Sequence, residues 1–117
     1  MELGMVGLGR MGANLVRRVS RAGHECVVFD VNPAAVQALE TEGATGASSL
    51  EDLVATMTAP RAVWVMVPAG DITAKTVSDL AEHLEPGDVI IDGGNSYYRD
   101  DIARAESVRA QGIHYVD

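Results

Sequence analysis

The sequence lacks the features that mark several large classes of protein. It contains one cysteine, Cys26, which excludes an internal disulfide and favours a reducing compartment, the cytoplasm. No apolar run approaches the length of a membrane span, and no signal-peptide segment opens the chain, so no membrane partner is expected. The 9 basic residues are outnumbered by 17 acidic ones, and the resulting net charge of −8 argues against a nucleic-acid partner.

Clustered metal ligands and catalytic side chains are also lacking. The three histidines, His24, His83 and His114, are scattered, and no cysteine or group of acids joins them, so no metal site is predicted. The single lysine, Lys75, falls within a predicted helix and is interpreted as a solvated surface residue. We therefore expect no catalytic residue within this chain.

What the sequence does contain is a regular alternation of apolar runs and helical patterns. Apolar runs predict strands at 3–7, 26–30, 43–45, 62–67, 89–92 and 113–116. Helices are predicted at 11–22, 32–43, 49–58, 71–84 and 96–110. This alternation predicts one α/β domain over residues 1–117, a Rossmann-type doubly wound parallel sheet of about six strands in the order 3-2-1-4-5-6.

Residues with strong helix-capping preferences set the ends of several of these helices. Asn32 followed by Pro33 is typical of an N-cap and first helical residue. Ser49 followed by Asp52 resembles a capping box, and Gly23 and Gly43 are expected just after helix C-termini.

The stretch "GLGRMG", with Gly7, Gly9 and Gly12, lies between the first strand and the first helix. Glycine-rich turns are common, and a tight turn is the simpler interpretation. In the dinucleotide-binding fingerprint, however, the first glycine forms the turn, the second admits the pyrophosphate and the third lets helix and strand pack closely. Because this stretch follows an apolar strand and opens an amphipathic helix, the context favours a dinucleotide site.

Asp30 ends the second predicted strand, eighteen residues after Gly12. An acid about twenty residues beyond the glycines binds the ribose 2′-hydroxyl of NAD, and it would repel the 2′-phosphate of NADP. Val31 and Asn32 supply no cation to offset that repulsion, although Arg10 could approach the phosphate. The sequence therefore favours NAD, with NADP less likely, over the alternative that Asp30 merely favours the coming turn.

Two further loops are expected beside the glycine turn. Strand four runs into "MVPAG" and strand five into "IDGGNS". In this architecture both loops lie at the switch point where ligands bind. Asn95 could present its amide to a ligand there, or it could cap the next helix, and the spacing leaves both interpretations open.

The segments "GLGRMGANLVRR", "FDVNP", "VWVMVPAG" and above all "DGGNSYYRDD" resemble the N-terminal coenzyme domain of the 6-phosphogluconate dehydrogenase family, over the whole of residues 1–117. The resemblance implies oxidative decarboxylation of 6-phosphogluconate to ribulose 5-phosphate, in the pentose phosphate pathway. It implies that Asn95 contacts coenzyme and substrate, and that Val67, Pro68 and Ala69, with Met11, lie near the nicotinamide. The coenzyme contacts expected in all are Gly7, Leu8, Gly9, Arg10, Met11, Gly12, Asp30, Val31, Asn32, Val67, Pro68, Ala69 and Asn95.

Some positions depart from the family pattern. NADP-using relatives carry Asn-Arg-Thr at positions 30–32, where this chain has Asp-Val-Asn, which favours an NAD-preferring branch. They tend to have a lysine in place of Pro68. In the family, the Ser-Gly-Gly loop, the catalytic lysine, its acid partner and a dimer-forming helical domain lie further along the chain than the part that residues 1–117 resemble, and none of them is found in these residues. Two alternatives stay open: another β-hydroxyacid dehydrogenase or imine reductase, and a free-standing NAD-binding module.

Overall fold

The computed structural model describes residues 2–67, 71–93 and 105–116. The described strands are β1 Glu2–Val6, β2 Glu25–Phe29, β3 Thr45–Gly46, β4 Ala62–Val65, β5 Val89–Asp92 and β6 His114–Val116. All pair in parallel in one sheet, in the order β3-β2-β1-β4-β5-β6. The predicted strand order is therefore confirmed.

Helices connect these strands. The described helices are α1 Arg10–Arg21, α2 Pro33–Glu40, α3 Leu50–Thr56 and α4 Asp71–His83, and residues 105–109 are also helical. The remainder of the helix predicted over 96–110 lies outside the described residues, apart from Ala110, which is in a turn. None of the described helices combines the length and the apolar character needed to cross a bilayer.

The core has two parts, one on each face of the sheet. One face carries Val6, Val63 and Ile90 with apolar residues of α3 and α4, and the other carries Met5 and Val28 with residues of α1 and α2. Side chains of a strand point alternately to opposite faces, so a sheet covered on both sides requires nearly continuous apolar strands. Each buried side chain of this size contributes about 1.5–3 kcal/mol.

The predicted helix caps are largely confirmed. Asn32 Oδ1 accepts the N–H of Ala34 at 3.1 Å, and Ser49 Oγ accepts the N–H of Asp52 at 3.0 Å. In a capping box the Asp52 carboxylate would accept the N–H of the N-cap residue, Ser49. Here it accepts the N–H of the preceding residue, Ser48, at 2.9 Å. Both interactions still satisfy donors that the helical hydrogen bonds leave unpaired.

Five of the six predicted strands begin or end at different residues: β1 and β2 lie one residue earlier than predicted, β6 begins one residue later, and β3 and β4 differ by two residues at one end. β3 is Thr45–Gly46 rather than 43–45, since Gly43, with φ of +102°, and Ala44, whose N–H bonds Leu39 O, form the turn that follows α2. β4 ends at Val65 rather than at residue 67, although Met66 N–H still bonds Val6 O at 2.7 Å. Helix and strand ends are the least certain part of a pattern-based prediction.

A buried ion pair joins the amino ends of β4 and β5. The Asp88 carboxylate, 1% exposed, accepts the N–H of Arg61 at 2.7 Å, the N–H of Glu85 at 2.8 Å and the Arg61 guanidinium at 3.1 Å. Burial alone would raise the pKa of Asp88, but these backbone and side-chain donors together hold the pKa below its ordinary value of 3.8. The ionised form is therefore the one that the fold stabilises.

We expect Asp88→Asn to lower the free energy of unfolding at neutral pH by about 3 kcal/mol or more, because it leaves the Arg61 charge without its buried partner. Lys75→Ala, which removes an exposed pair with Asp79, should change it by less than about 1 kcal/mol. Urea titrations of both variants measure the difference, and equal losses would contradict this role of Asp88.

The same pair predicts a dependence of stability on pH. Because the pKa of Asp88 is lowered by folding, its contribution is fully present above the ordinary value of 3.8 and is lost as pH falls through the lowered pKa. The wild-type protein should therefore lose more stability than Asp88→Asn between neutral pH and acid below that ordinary value. Parallel acid-induced loss in both proteins would contradict the assignment.

Candidate functional site

The turn from β1 into α1 is close-packed at two of its three glycines. Gly7 has φ of +97°, and a Cβ placed on it would lie 2.5 Å from the carbonyl oxygen of Met66. A Cβ on Gly12 would overlap the carbonyl oxygen of Gly7. Neither position can carry a side chain without moving backbone atoms, so both glycines set how closely α1 approaches the sheet.

Gly9 differs, since it is the glycine of this turn that faces open space. Apart from its two chain neighbours, no atom of the described residues lies within 4 Å of a Cβ built there, and its φ of −65° suits any residue. The first described hydrogen bond of the helix runs from Ala13 N–H to Gly9 O at 2.9 Å. The preceding N–H groups, those of Gly9, Arg10, Met11 and Gly12, have no acceptor among the described residues. A turn with free donors and space beside them suits an anion.

Asp30 lies against this glycine turn. Its Oδ2 accepts the N–H of Leu8 at 2.7 Å, and its Oδ1 accepts the N–H of Asn32 at 2.8 Å. Asp30 is partly exposed, and each carboxylate oxygen retains a second lone pair that can accept a ligand hydroxyl. The structure thus brings together two sequence features that are 22 residues apart. No signal in the sequence predicted the bond between them.

Three other predicted coenzyme contacts, Leu8, Arg10 and Asn32, lie beside the glycine turn and Asp30 in different settings. The Leu8 side chain is 6% exposed and packs in the core, so only its backbone faces the turn. The Asn32 side chain caps α2, while Arg10 is exposed beside the free N–H groups. These positions supply backbone atoms and charge rather than a shared pocket of side chains.

Exposed apolar side chains mark the same edge of the sheet. Val31 is 91% exposed, Met11 68% and Ile72 55%. They follow β2, β1 and β4 respectively, and parallel strands end at a common edge. Val116, on the edge strand β6, is the other large apolar side chain with such exposure in the described ranges. Exposed apolar residues gathered at one edge are typical of a binding surface.

A cleft of about 590 Å³ opens beside Asp30 and Val31. Its walls come from the end of β2, from α2 and from the residues around β3: Phe29, Pro33, Val36, Gln37, Glu40, Gly46, Ala47 and Ser48. The volume is within the usual range of small-molecule sites. Its position extends the surface from the glycine turn towards α2.

The ends of β4 and β5 meet at Gly93. A Cβ on Gly93 would lie 2.7 Å from the indole nitrogen of Trp64 and would overlap the sulfur of Met66. Close approach therefore explains the first glycine of the "GG" pair. Val67 is half-buried against the core. The predicted contacts Pro68, Ala69 and Asn95 lie outside the described residues.

Asp92, immediately before Gly93, is buried and accepts a short hydrogen bond from the hydroxyl of Tyr115. Asp92 and Tyr115 are both 4% exposed and tie the end of β5 to β6. No pattern in the sequence predicts this pair, because Tyr115 stands there as one residue of an apolar strand. A buried carboxylate requires such a donor.

Two potentially reactive side chains, Cys26 and Lys75, have ordinary structural surroundings. Cys26 is buried, and burial raises the pKa of its thiol, which disfavours the nucleophilic thiolate. Lys75 is exposed and pairs with Asp79 at 3.0 Å, as expected for a surface lysine. Within the described part of the chain, no three histidine, cysteine or acidic residues are grouped as metal ligands would be.

Comparison with known proteins identifies relatives of this chain. The sequence profile described as the NAD binding domain of 6-phosphogluconate dehydrogenase matches residues 2–117. The NAD(+)-dependent, decarboxylating 6-phosphogluconate dehydrogenase of Haloferax volcanii is 47% identical over 110 residues, which are 94% of this chain and 37% of that protein. The chain thus spans less than two fifths of this relative's length.

Solved structures agree with that match. The 6-phosphogluconate dehydrogenase of Plasmodium falciparum, whose structure is described with its cofactor NADP+, superposes with a TM-score of 0.86 at 27% identity, covering 98% of this chain and 26% of that one. The 3-hydroxyisobutyrate dehydrogenase of Mycobacterium tuberculosis gives a TM-score of 0.89 at 24% identity, covering 97% and 38%. The second likeness shows the fold alone.

The geometry of the glycine turn predicts different effects of one added methyl group. Gly12→Ala should lower the free energy of unfolding by about 1–3 kcal/mol, because backbone atoms must move to admit the Cβ. Gly9→Ala should change it by less than about 0.5 kcal/mol, since among the described residues its Cβ would meet no atom beyond its chain neighbours. Denaturant titrations check both values, and a loss at Gly9 as large as that at Gly12 would contradict the described packing.

Proposed function

The chain belongs to the 6-phosphogluconate dehydrogenase family through its NAD-binding domain, and from that premise we propose that it is the coenzyme-binding domain of an NAD-preferring, decarboxylating 6-phosphogluconate dehydrogenase. When NAD⁺ is bound, its nicotinamide accepts the hydride that leaves C3 of 6-phosphogluconate. The β-keto acid that results loses CO₂, and the enediol becomes ribulose 5-phosphate. This chain's share is to bind the coenzyme and hold its acceptor carbon in place.

The observation that carries the proposal is the contact between the glycine turn and the acid after β2. Asp30 Oδ2 lies 2.7 Å from the Leu8 nitrogen, so the acid and the free N–H groups of α1 share one edge of the sheet. A bound dinucleotide needs N–H donors for its pyrophosphate and an acceptor for its ribose, and the two must be close enough for one molecule to reach both. The geometry at this edge fits that requirement.

Different groups of the chain would bind different parts of the proposed coenzyme. The N–H groups of residues 9–12 would bind the pyrophosphate, helped by the positive end of the α1 dipole. The free lone pairs of Asp30 would accept the ribose hydroxyls. Val31, which is 91% exposed, and the cleft beside it would take the adenosine end.

The nicotinamide end would lie over β4 and β5. We propose that Met11 and residues 67–69 flank the ring and that Asn95 bridges coenzyme and substrate. Met11 is 68% exposed, which leaves its side chain available for this contact. Gly93 packs so closely on Trp64 and Met66 that a side chain would not fit at this position, at the end of β5.

The remaining groups of the reaction would be supplied by chain beyond residue 117. The proposed whole protein carries there the Ser-Gly-Gly loop, the lysine and acid that act on 6-phosphogluconate, and a helical domain that forms a dimer. The proposal thus assigns residues 1–117 to a single coenzyme-binding domain. Reading the native gene past Asp117 tests the assignment, and a stop codon there would favour a free-standing NAD-binding module.

We propose that the coenzyme is NAD rather than NADP, a choice that the family alone leaves open. The Asp30 carboxylate would face a 2′-phosphate at the position where it would otherwise accept a hydroxyl. Val31 is apolar and Asn32 caps α2, so neither offers a cation. Arg10 is exposed at the turn and is a cation that could weaken this preference.

We expect the 117-residue chain to bind NAD⁺ but to form no NADH with 6-phosphogluconate, because the acid–base groups of the reaction are outside it. Gly9→Ala should weaken NAD⁺ binding at least about tenfold, since its Cβ would occupy the space proposed for pyrophosphate. Quenching of Trp64, the single tryptophan, or calorimetry measures the affinity. If Gly9→Ala leaves NAD⁺ binding unchanged, the proposed pyrophosphate site is wrong. If the chain forms NADH, the claim that the acid–base groups of the reaction lie outside residues 1–117 is wrong.

Two substitutions test the coenzyme choice. Asp30→Asn removes the negative charge. It should weaken NAD binding, because a hydrogen bond from the ribose to a charged group contributes about 1.5–3 kcal/mol, and it should also remove the repulsion of the NADP 2′-phosphate, so the preference for NAD should narrow. Adding Val31→Arg supplies a guanidinium for the 2′-phosphate and should reverse the preference. Titrations of both coenzymes at two ionic strengths check this, since the phosphate contacts should weaken with salt. Tighter binding of NADP by the wild-type protein would show the assignment to be wrong.

A further inference from the structure

The Asp30 carboxylate already has two backbone partners before any coenzyme binds. Leu8 N–H donates to Oδ2 at 2.7 Å and Asn32 N–H donates to Oδ1 at 2.8 Å. Leu8 is the residue between Gly7 and Gly9, so one side chain connects the glycine turn with the turn after β2. An acid that served the ribose alone would not need either bond.

We propose that Asp30 is a positioning residue for the pyrophosphate site: its carboxylate fixes the glycine turn so that the free N–H groups of α1 face the coenzyme before it arrives. This inference rests on the proposed function for its ligand. It goes beyond that function because Asp30 would also strengthen binding of the pyrophosphate, a part of the coenzyme that its side chain would not contact. Fixing a binding loop in advance lowers the entropy lost on binding.

Few other polar contacts hold this turn. Gly7 N–H donates to Phe29 O at 2.9 Å, at the end of the β1–β2 pairing. Between that bond and the start of α1, the bond from Leu8 to Asp30 is the single hydrogen bond within the described residues that holds the turn from outside. Gly9 is the N-cap of α1 and has no side chain with which to cap the helix. The turn therefore depends on an acceptor supplied by β2.

Two backbone N–H groups, those of Leu8 and Asn32, need an acceptor on the side chain at position 30, and the two oxygens of aspartate accept one each. Asparagine has one acceptor oxygen, and its NH₂ group cannot accept an N–H. Asp30→Asn can therefore keep the bond from Leu8 while losing the bond from Asn32. Asp30→Ala loses both. The two variants thus separate the effect of the charge from the effect of holding the turn.

The first test uses NAD⁺ and an analogue whose adenosine ribose lacks both hydroxyls. If Asp30 positions the turn, Asp30→Ala should weaken binding of the analogue about tenfold, a loss of the size expected for one hydrogen bond. Asp30→Asn should restore much of that loss. If Asp30 serves only the ribose, wild type and Asp30→Ala will bind the analogue equally, and the inference is wrong.

The second test needs no coenzyme. Hydrogen exchange of the wild-type protein should show a protected Leu8 amide, which loses its protection in Asp30→Ala and keeps part of it in Asp30→Asn. Amides of Val27 and Val28 in β2 should exchange equally in all three proteins. An unprotected Leu8 amide in the wild type, or equal protection in Asp30→Ala, would overturn the inference.

A matched control distinguishes this effect from general loss of a carboxylate. Glu2 Oε1 accepts the backbone N–H of Thr58 at 2.9 Å, at the amino end of β1. Glu2→Ala removes a bond of the same kind far from the glycine turn, so it should leave analogue binding and Leu8 exchange unchanged. If wild type fails to bind NAD⁺, the proposed function fails, and the exchange experiment still decides the role of Asp30.

Discussion

Helix α1 can begin beside strand β1 only because Gly7 and Gly12 have no side chains. A Cβ on either would meet a backbone carbonyl, that of Met66 or that of Gly7. This close approach brings the first turn of α1 to the carboxyl edge of the sheet, where its N–H groups have no acceptor among the described residues. Gly9, in contrast, is exposed, and among the described residues only its chain neighbours lie close to it, so a ligand could lie beside it. The position of the proposed coenzyme follows from these contacts.

A chain with a net charge of −8 is proposed here to bind an anionic coenzyme, and the local arrangement explains how. Unpaired N–H groups and the α1 dipole present positive potential at one edge of the sheet, and local fields of this kind can oppose the net charge. Asp30 adds a negative group at the same edge. Its charge is partly balanced by two N–H donors, and the lone pairs that remain suit hydroxyls. The same charge that would admit a ribose would repel a phosphate.

The order of the strands and the positions of the caps could be predicted from the sequence because both depend on local pattern. Alternating apolar and helical segments define the parallel sheet, and Asn32 and Ser49 accept the helix N–H groups as their residue types suggest. Side-chain hydrogen bonds between residues far apart in the sequence left no such pattern. The bonds of Asp30 to Leu8, of Arg61 to Asp88 and of Tyr115 to Asp92 join residues 22 to 27 positions apart. For Pro68, Ala69 and Asn95 the expectations stay predictions.

The central claim is that a dinucleotide binds at the carboxyl edge of β1 and β2, with its pyrophosphate at the start of α1. An amide-resolved NMR titration of the chain with NAD⁺ tests this most directly. We expect the largest shifts at the backbone N–H groups of residues 8–12 and 30–32, because these groups would bond or adjoin the ligand. Amides around the Arg61–Asp88 pair, at the opposite edge, should not move. Shifts centred there, or none at residues 9–12 at saturation, would contradict the account.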